Sequence, residues 1–413
     1  YTYIIMKKIN SCRFCKSKKL INVINLGKQM LTGVFPNNPK TKITKGPLIV
    51  CLCKKCSLLQ LRHSYDMNEL YGLNYGYRSS LNSSMVVHLK NKANSLIKNY
   101  KIQKKDIIID IGSNDGSFLN FFKGYNNLIG IDPTIIKFKK YYNNNITQIE
   151  DFFPSKVLTD KIKFKKAKLI TSFSMFYDLE DPLKFVNNIK EILDINGIWH
   201  FEQSYMPYMI KQNSYDTICH EHLEYYSLTI IKKILTKAGL KIIDVEFNNV
   251  NGGSFSITAT HKTSKKIPNI KIINWLLREE EKMNLSDTKV YFDFSKKIKQ
   301  HKKSLLNLLD ELKKNKKKIS GLGASTKGNV ILQYCKINKN LLNNIYEIND
   351  EKFGKFTPGS NIRILSDKKI NKKTCDYLLI LPWHFKDHMI KKEKRLREKG
   401  IKFIFPLPEI EII

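Results

Sequence analysis

No run of eighteen apolar residues occurs in the 413-residue chain, so no membrane-spanning helix is expected. The opening segment, Tyr1-Thr2-Tyr3-Ile4-Ile5-Met6-Lys7-Lys8, has too short an apolar part for a secretory signal, and Met6 is a candidate initiator behind a short upstream extension. Acidic residues are scarce: 37 Asp and Glu stand against 72 Lys and Arg, for a formal charge of +35. Such an excess invites a nucleic-acid partner. Arginine is also scarce, however, and the lysines are dispersed rather than gathered on one helix. The densest run, Lys313-Lys314-Asn315-Lys316-Lys317-Lys318, reads as the solvated end of a helix. Lysine, asparagine and isoleucine are abundant everywhere, as an AT-rich genome would produce, and the basic surface is read as steering an anionic substrate such as a nucleotide diphosphate. A disulfide framework is missing too: four of the eight cysteines fall in metal spacing, which points to a reducing cytoplasm.

What the chain does have is a strand and loop at Ile107-Ile108-Ile109-Asp110-Ile111-Gly112-Ser113-Asn114-Asp115-Gly116, followed by an expected apolar-faced helix from Ser117 to Phe122. This is a ligand loop at the carboxyl end of a first parallel strand. A dinucleotide site wants three glycines and a phosphate-facing helix. Here the third glycine is missing, and Asp110 would repel a phosphate. A sulfonium donor, S-adenosylmethionine, carries positive charge and no phosphate, so the acid helps. A second acid, Asp132, ends the next apolar run, where carboxylates accept bonds from ribose hydroxyls. The competing reading is a generic α/β turn with two solvated acids.

Three segments follow from the pattern. Residues 1–72 hold Cys12-x-x-Cys15 and Cys53-x-x-Cys56, 37 residues apart, the spacing of a closed structural Cys₄ zinc site. Cys51 lies just outside the second pair, and a redox Cys-x-x-Cys lacks the βαβ setting it needs. Residues 73–265 alternate strands, near 106–111, 127–132, 146–150, 167–173 and 197–203, with helices. A hairpin over 241–260 turns at Asn251-Gly252-Gly253. Residues 266–413 open with a helical connector whose apolar faces include Trp275-Leu276-Leu277 and Leu305-Leu306-Asn307-Leu308-Leu309. A second α/β unit then carries Gly321-Leu322-Gly323-Ala324-Ser325-Thr326-Lys327, a loop able to cradle a phosphate, with strands at Asn344–Ile348, Asp376–Leu381 and Ile401–Phe405. The fold class is therefore α/β, a class I methyltransferase Rossmann-like sheet flanked by a small zinc-binding domain and a C-terminal Rossmann-like domain.

Between the fifth strand and the next helix lies Tyr215-Asp216-Thr217-Ile218-Cys219-His220-Glu221-His222-Leu223-Glu224-Tyr225-Tyr226. Two histidines among acids and tyrosines on the substrate side of such a sheet suggest proton chemistry. The histidines are two residues apart, not the four a zincin helix needs, and Cys219–His220 has no supporting nucleophile motif. The bland alternative is a loop held by its own hydrogen bonds.

Together these residues resemble the sugar C-methyltransferases that act on nucleotide-linked 4-keto-6-deoxysugars. The likeness spans nearly the whole chain. It includes both cysteine pairs, Leu26-Gly27, Pro47-Leu48, Leu58-x-Gln60-Leu61, Tyr75-Gly-Tyr77-Arg-Ser79-Ser80, His220-Glu221-His222, Gly252-Gly253-Ser254, Gly323-Ala324-x-x-Lys327-Gly328-Asn329, Gly354-x-x-x-Pro358-Gly359 and Trp383-x-Phe385. The resemblance implies His222 as the base that removes the proton beside the ketone, Glu221 as its support, and Tyr77 against the sugar or its oxyanion. His220, Tyr225, Lys327 and Asn329 would lie toward the substrate. Asp110, Gly112, Asn114, Gly116, Asp132, Phe152 and Ser172 would hold the methyl donor. Cys12, Cys15, Cys53 and Cys56 would hold a structural Zn²⁺. Three positions depart from the family: Cys219 where a tyrosine is frequent, Ser174-Met175-Phe176-Tyr177 where a histidine is, and Ser256 in place of an arginine. The expectation is a cytoplasmic, monomeric C-methyltransferase of a nucleotide-diphosphate sugar, with no specific nucleic-acid or membrane partner. The alternatives are an O- or N-methyltransferase on a sugar or natural-product intermediate, and a basic zinc-domain protein that binds nucleic acid.

Overall fold

The computed structural model describes residues 6–71 and 77–413, so Tyr75 and Gly76 of the tyrosine-serine segment lie outside it. The first part of the chain is all β. Its strands are β1 (Met6–Lys8), β2 (Leu20–Met30), β3 (Lys45–Cys53), β4 (Leu59–Leu61) and β5 (His63–Tyr65), with one cysteine pair between β1 and β2 and the other where β3 turns into β4. β2, β3 and β4 form an antiparallel sheet, and β1 pairs with β5.

The central sheet begins with β6 (Ile107–Ile111), β7 (Asn127–Ile131), β8 (Ile146–Ile149), β9 (Ala167–Phe173) and β10 (Leu193–Ser204). Chain order then brings β11 (Glu224–Tyr225), β12 (Leu240–Asn248) and β13 (Ser254–His261). Seven of these run β12-β13-β10-β9-β6-β7-β8, with β6 to β10 parallel and β13 antiparallel to its neighbours. Isoleucine-rich strands covered on both faces bury Ile108, Ile109, Leu169, Ile170 and Phe201, each worth roughly 1.5–3 kcal/mol. One cover is the helix Ser83–Tyr100, which starts where Asn82 accepts a bond from the Ser84 amide and buries Met85, Leu89, Ala93 and Leu96 along one stripe. All the parallel strands end on one edge, so the loops after β6, β7, β8 and β9 converge there.

Between β6 and β7 the expected helix Ser117–Phe122 is not formed; only a 3₁₀ turn, Leu119–Phe121, is present. Its approach is bent by left-handed Gly116 (φ +74°), and Gly124 (φ +77°) turns the chain again before β7, leaving too few residues for a helix. The predicted hairpin does form, with Asn251, Gly252 and Gly253 all at positive φ.

Helices Ile270–Lys282 and Thr288–Lys314 make the connector. The first buries Ile273 and Leu276 against the central sheet, whereas Trp275 stays 52 % exposed because it points off that face. The second buries Phe294, Ile298, Leu305 and Leu309 between β2 of the first sheet and the last sheet. That sheet comprises β14 (Ile319–Leu322), β15 (Ile345–Glu347), β16 (Ile364–Ser366), β17 (Tyr377–Ile380), β18 (Lys402–Phe405) and β19 (Glu411–Ile412), ordered β16-β15-β14-β17-β18-β19 and parallel except for β19. No helix among the described residues is long and apolar enough to cross a membrane.

Candidate active site

The loops at the strand ends of the central sheet face the C-terminal sheet across a cleft of about 810 Å³, near the upper end for a small-molecule site. On one side lie Asp110, Gly112, Ser113, Asn114, Asp132 and Phe152. On the other lie Ser325, Lys327, Lys352, His384, His388 and Lys392. Glu221 and His222 also line it.

Sequence at the loop after β6 is dictated by close packing. Gly112 (φ +74°) lies against Met175, whose side chain would be 3.0 Å from a Cβ there. Asn114 tolerates φ +51° and its amide donates to Asp132 Oδ2 at 2.9 Å. Tyr142 supports the loop from below, its hydroxyl 2.7 Å from Ser113 Oγ and 3.0 Å from Asn114 O. The Tyr77–Ser80 segment clasps the loop from above. The Ser79 amide donates to Asn114 Oδ1 (3.0 Å), the Ser80 amide to Asp115 Oδ2 (2.9 Å), and Asn114 Nδ2 to Tyr77 O (3.2 Å). Asp110 accepts a bond from Thr171 Oγ1 at 2.6 Å, yet burial pushes its carboxyl up to about 7. Asp132 accepts from the Thr134 amide and hydroxyl, and burial raises its carboxyl too. Two buried acids at strand ends, both short of cationic partners, suit a positively charged ligand.

His222 is placed by its neighbours in sequence. The Leu223 amide donates to Tyr177 O (2.8 Å), and the Leu223 carbonyl accepts from the Leu61 amide (2.8 Å). Glu224 and Tyr225 then form β11, which pairs antiparallel with β4 of the first sheet. The imidazole lies 4.2 Å, centroid to centroid, from the Tyr177 ring, and Nδ1 is 2.8 Å from Thr217 O. A carbonyl only accepts, so Nδ1 carries the proton and Nε2 the lone pair. Burial, helped by Lys327, lowers the imidazole to about 3 and keeps it neutral. Glu221 does not support His222: its Oε2 accepts instead from Thr32 Oγ1 at 3.3 Å, and burial raises its carboxyl.

Other expected contacts sit behind the cleft wall. His220 is fully buried edge-on to Tyr65 (4.7 Å), and Tyr225 is held in β11. Asn329 donates to Thr32 O (2.7 Å), tying the last sheet's helix to the first domain. Ser172 accepts from the Trp199 indole (3.0 Å), and Gly116 packs under Tyr142. Tyr77, 43 % exposed, and Phe152 do line the cleft. Lys327 lines it as well, its ammonium donating to Asn251 O at 2.5 Å. The glycine loop before Lys327 is no open phosphate cradle, because Glu347 Oε2 already accepts from the Ala324 amide at 2.7 Å. Asp178, Asn251, Lys352 and His384 also line the cleft; Asn251, in the hairpin turn, and His384, inside Trp383-x-Phe385, lay within sequence signals, and Asp178 and Lys352 did not.

In the first domain, the sulfurs of Cys12, Cys15, Cys53 and Cys56 all lie within 4.8 Å of one another, with Cys12–Cys56 at 3.6 Å and Cys15–Cys53 at 3.5 Å. Tetrahedral metal–sulfur bonds of about 2.3 Å would set the sulfurs roughly 3.8 Å apart, so the four fit one closed site.

Family profiles match three consecutive parts of the chain: a zinc binding domain over residues 12–71, a methyltransferase domain over 88–245, and a C-methyltransferase C-terminal domain over 249–408. The C-methyltransferase NovU of Streptomyces niveus is 26 % identical over 413 aligned residues, covering 99 % of this chain and 98 % of its own. Among solved structures, the Haloferax volcanii complex of the Trm112 methyltransferase activator with a methyltransferase matches 43 % of this chain and 94 % of its own at 13 % identity and a TM-score of 0.36. Magnesium protoporphyrin IX methyltransferase of Synechocystis PCC 6803 matches 43 % of this chain and 81 % of its own, at 13 % identity and a TM-score of 0.32. With these three domain families in sequence and the strand order of its central sheet, the chain is an S-adenosylmethionine-dependent C-methyltransferase.

Proposed function

We propose that the acceptor is a nucleotide-linked 4-keto-6-deoxysugar, methylated at the carbon beside the ketone with His222 as base. The observation that carries this reading is the His222 tautomer: Nδ1 is committed to Thr217 O, so Nε2 offers its lone pair on a residue lining the cleft. A neutral imidazole has the free lone pair that a base needs, and an anionic acceptor beside Lys327 would oppose the depression of its pKa. Lys327, Lys352 and Lys392 line the cleft and favour an anionic acceptor such as a nucleotide diphosphate. Bound S-adenosylmethionine supplies an electrophilic methyl group, and Asp110 and Asp132 would sit against its positive and ribose portions. His222 Nε2 takes the proton, and the C–H electron pair delocalises onto the ketone oxygen as an enolate. The imidazolium then yields its proton to solvent. Holding the acceptor carbon at the right approach is the task of the opposed domains. The four cysteines are proposed to hold a structural Zn²⁺.

The test is deuterium exchange at that carbon. A nucleotide-linked 4-ketosugar in D₂O, followed by NMR, should lose its carbon-bound proton with the native protein and keep it with His222→Asn. Exchange by His222→Asn at the native rate would refute the base. Product carrying its methyl on oxygen or nitrogen would replace the reading with the corresponding O- or N-transfer.

A further inference from the structure

His384 lines the cleft from the C-terminal sheet, opposite the donor loop and on the same cleft as His222. It occupies the middle of a 3₁₀ turn, Trp383–Phe385, just past the carboxyl end of β17. Both neighbours in that turn are anchored. The Trp383 indole donates to Asp216 Oδ2 at 2.8 Å, and Asp216 belongs to the loop that carries Thr217 and His222. The two histidine-bearing loops are thus bolted together through one buried hydrogen bond. Phe385 packs on the His384 ring at 4.3 Å.

The hairpin closes the third side. Gly252 takes the left-handed conformation (φ +86°) that brings the hairpin up to His384, whose Cβ would be in ordinary contact, 3.4 Å, with a Cβ there. Beside it, Asn251 O accepts from Lys327, and Asn251 Nδ2 donates to Ser174 Oγ at 3.0 Å. Lys327 and Asn251 therefore satisfy each other, whereas His384 Nδ1 is sequestered without a hydrogen-bond partner. Of the other histidines, His222 is fixed by Thr217, His301 by Tyr215 and Pro406, and unpartnered His220 lies away from the cleft lining, while His388 lines the cleft four residues beyond His384. An imidazole held by packing, with ring-nitrogen capacity to spare and a lysine ammonium nearby, is equipped to meet a polar group of the substrate.

We propose that His384 donates a hydrogen bond to the acceptor's ketone oxygen as that oxygen becomes an enolate, a role that rests on the C-methylation reading above. The proton removed by His222 leaves its electron pair on the ketone oxygen, and the His384 N–H faces the charge that develops there. His384 keeps its own proton throughout, so the step balances with His222 alone as base. A neutral imidazole serves this purpose because it remains a donor without needing a counter-ion in a cleft that already holds Lys327. Burial, reinforced by that lysine, lowers the His384 imidazole well below its usual range.

The experiment measures deuterium exchange of dTDP-4-keto-6-deoxyglucose in D₂O and steady-state methylation, for native protein, His384→Ala and His384→Gln. His384→Ala should slow both exchange and kcat by about 10²-fold, the scale for one oxyanion donor, with KM changed far less. His384→Gln, which restores an N–H, should recover at least tenfold of that loss. Calorimetric titration with S-adenosylmethionine checks that both variants keep the fold. Native exchange with His384→Ala within threefold of it overturns this role while leaving His222 in place. So does His384→Gln as slow as His384→Ala with donor binding intact. Absence of exchange in the native protein removes the carbon-acid reading, and this role with it.

Discussion

Gln60 faces Glu224 across the antiparallel pairing of β4 and β11, and its amide nitrogen donates to Cys12 Sγ at 3.2 Å. The cysteine cluster and the loop bearing His222 therefore meet at one residue. A metal at the cysteines would hold β4 in register, β4 holds β11, and β11 starts two residues after His222.

Metal removal should accordingly loosen the base-bearing loop as well as the first domain. Chelation, or Cys53→Ser, should raise amide hydrogen exchange over residues 215–226 while the β6–β7 amides stay protected. Metal analysis should find about one zinc per chain. Unchanged protection of 215–226 in metal-free protein would break the link.

Arg13 extends the same junction. Its guanidinium donates to Leu61 O (2.6 Å) and Ser64 Oγ (2.8 Å) and lies 3.7 Å from the buried Glu224 carboxylate. Burial raises that carboxyl well above its usual range, and Arg13 opposes the rise. Arg13→Ala would strip Leu61 O and Ser64 Oγ of their buried donor and leave Glu224 to take up a proton, at a cost of about 1–3 kcal/mol per unpaired group in chemical denaturation. Arg13→Lys should recover little, since one ammonium cannot reach the same set of acceptors.

Why the sheet was readable and the site only partly so comes down to which groups carry side-chain signals. Ile107–Ile111 and the glycines of the hairpin are specified by apolarity and positive φ, properties each residue displays by itself. The tautomer of His222 is set by a main-chain carbonyl, Thr217 O, which any residue could supply. Likewise β11 is two residues of main-chain pairing, and Glu221 turned toward Thr32 because distant sequence folded beside it. Ser117–Phe122 had a helical apolar pattern, but Gly116 and Gly124 left it no length. His220, Tyr225 and Asn329 are in motifs that read as substrate contacts, yet they fasten domains together.

Tyr142 illustrates a residue with no sequence signal and a clear expected effect. Its hydroxyl bonds Ser113 and the Asn114 carbonyl beneath the donor loop. Tyr142→Phe removes both while keeping the ring that packs under Gly116 and Gly130. At about 0.5–1.5 kcal/mol per bond, donor affinity by calorimetry should fall by roughly tenfold, with little change in acceptor KM. An unchanged dissociation constant would show that packing alone shapes the loop.

Asp110 gives the donor site a pH dependence whose sign is fixed by its surroundings. Burial raises its carboxyl to about 7, well above its value in an unfolded chain, so the folded apo protein holds a proton there that the unfolded chain releases. Between about pH 4 and pH 7, rising pH therefore erodes the apo protein's stability through this group. A cationic methyl donor reverses the balance by favouring the carboxylate. Its binding should expel a proton, and affinity should climb as pH rises toward 7, by up to about tenfold per unit, then level off above it. Calorimetry in two buffers of different ionisation enthalpy, from pH 5.5 to 8.5, would read both the proton release and the slope. Asp110→Asn should bind more weakly at pH 8 and lose the slope. Donor affinity independent of pH in the native protein would mean that Asp110 is already ionised, and that the sulfonium finds its negative partner elsewhere in the cleft.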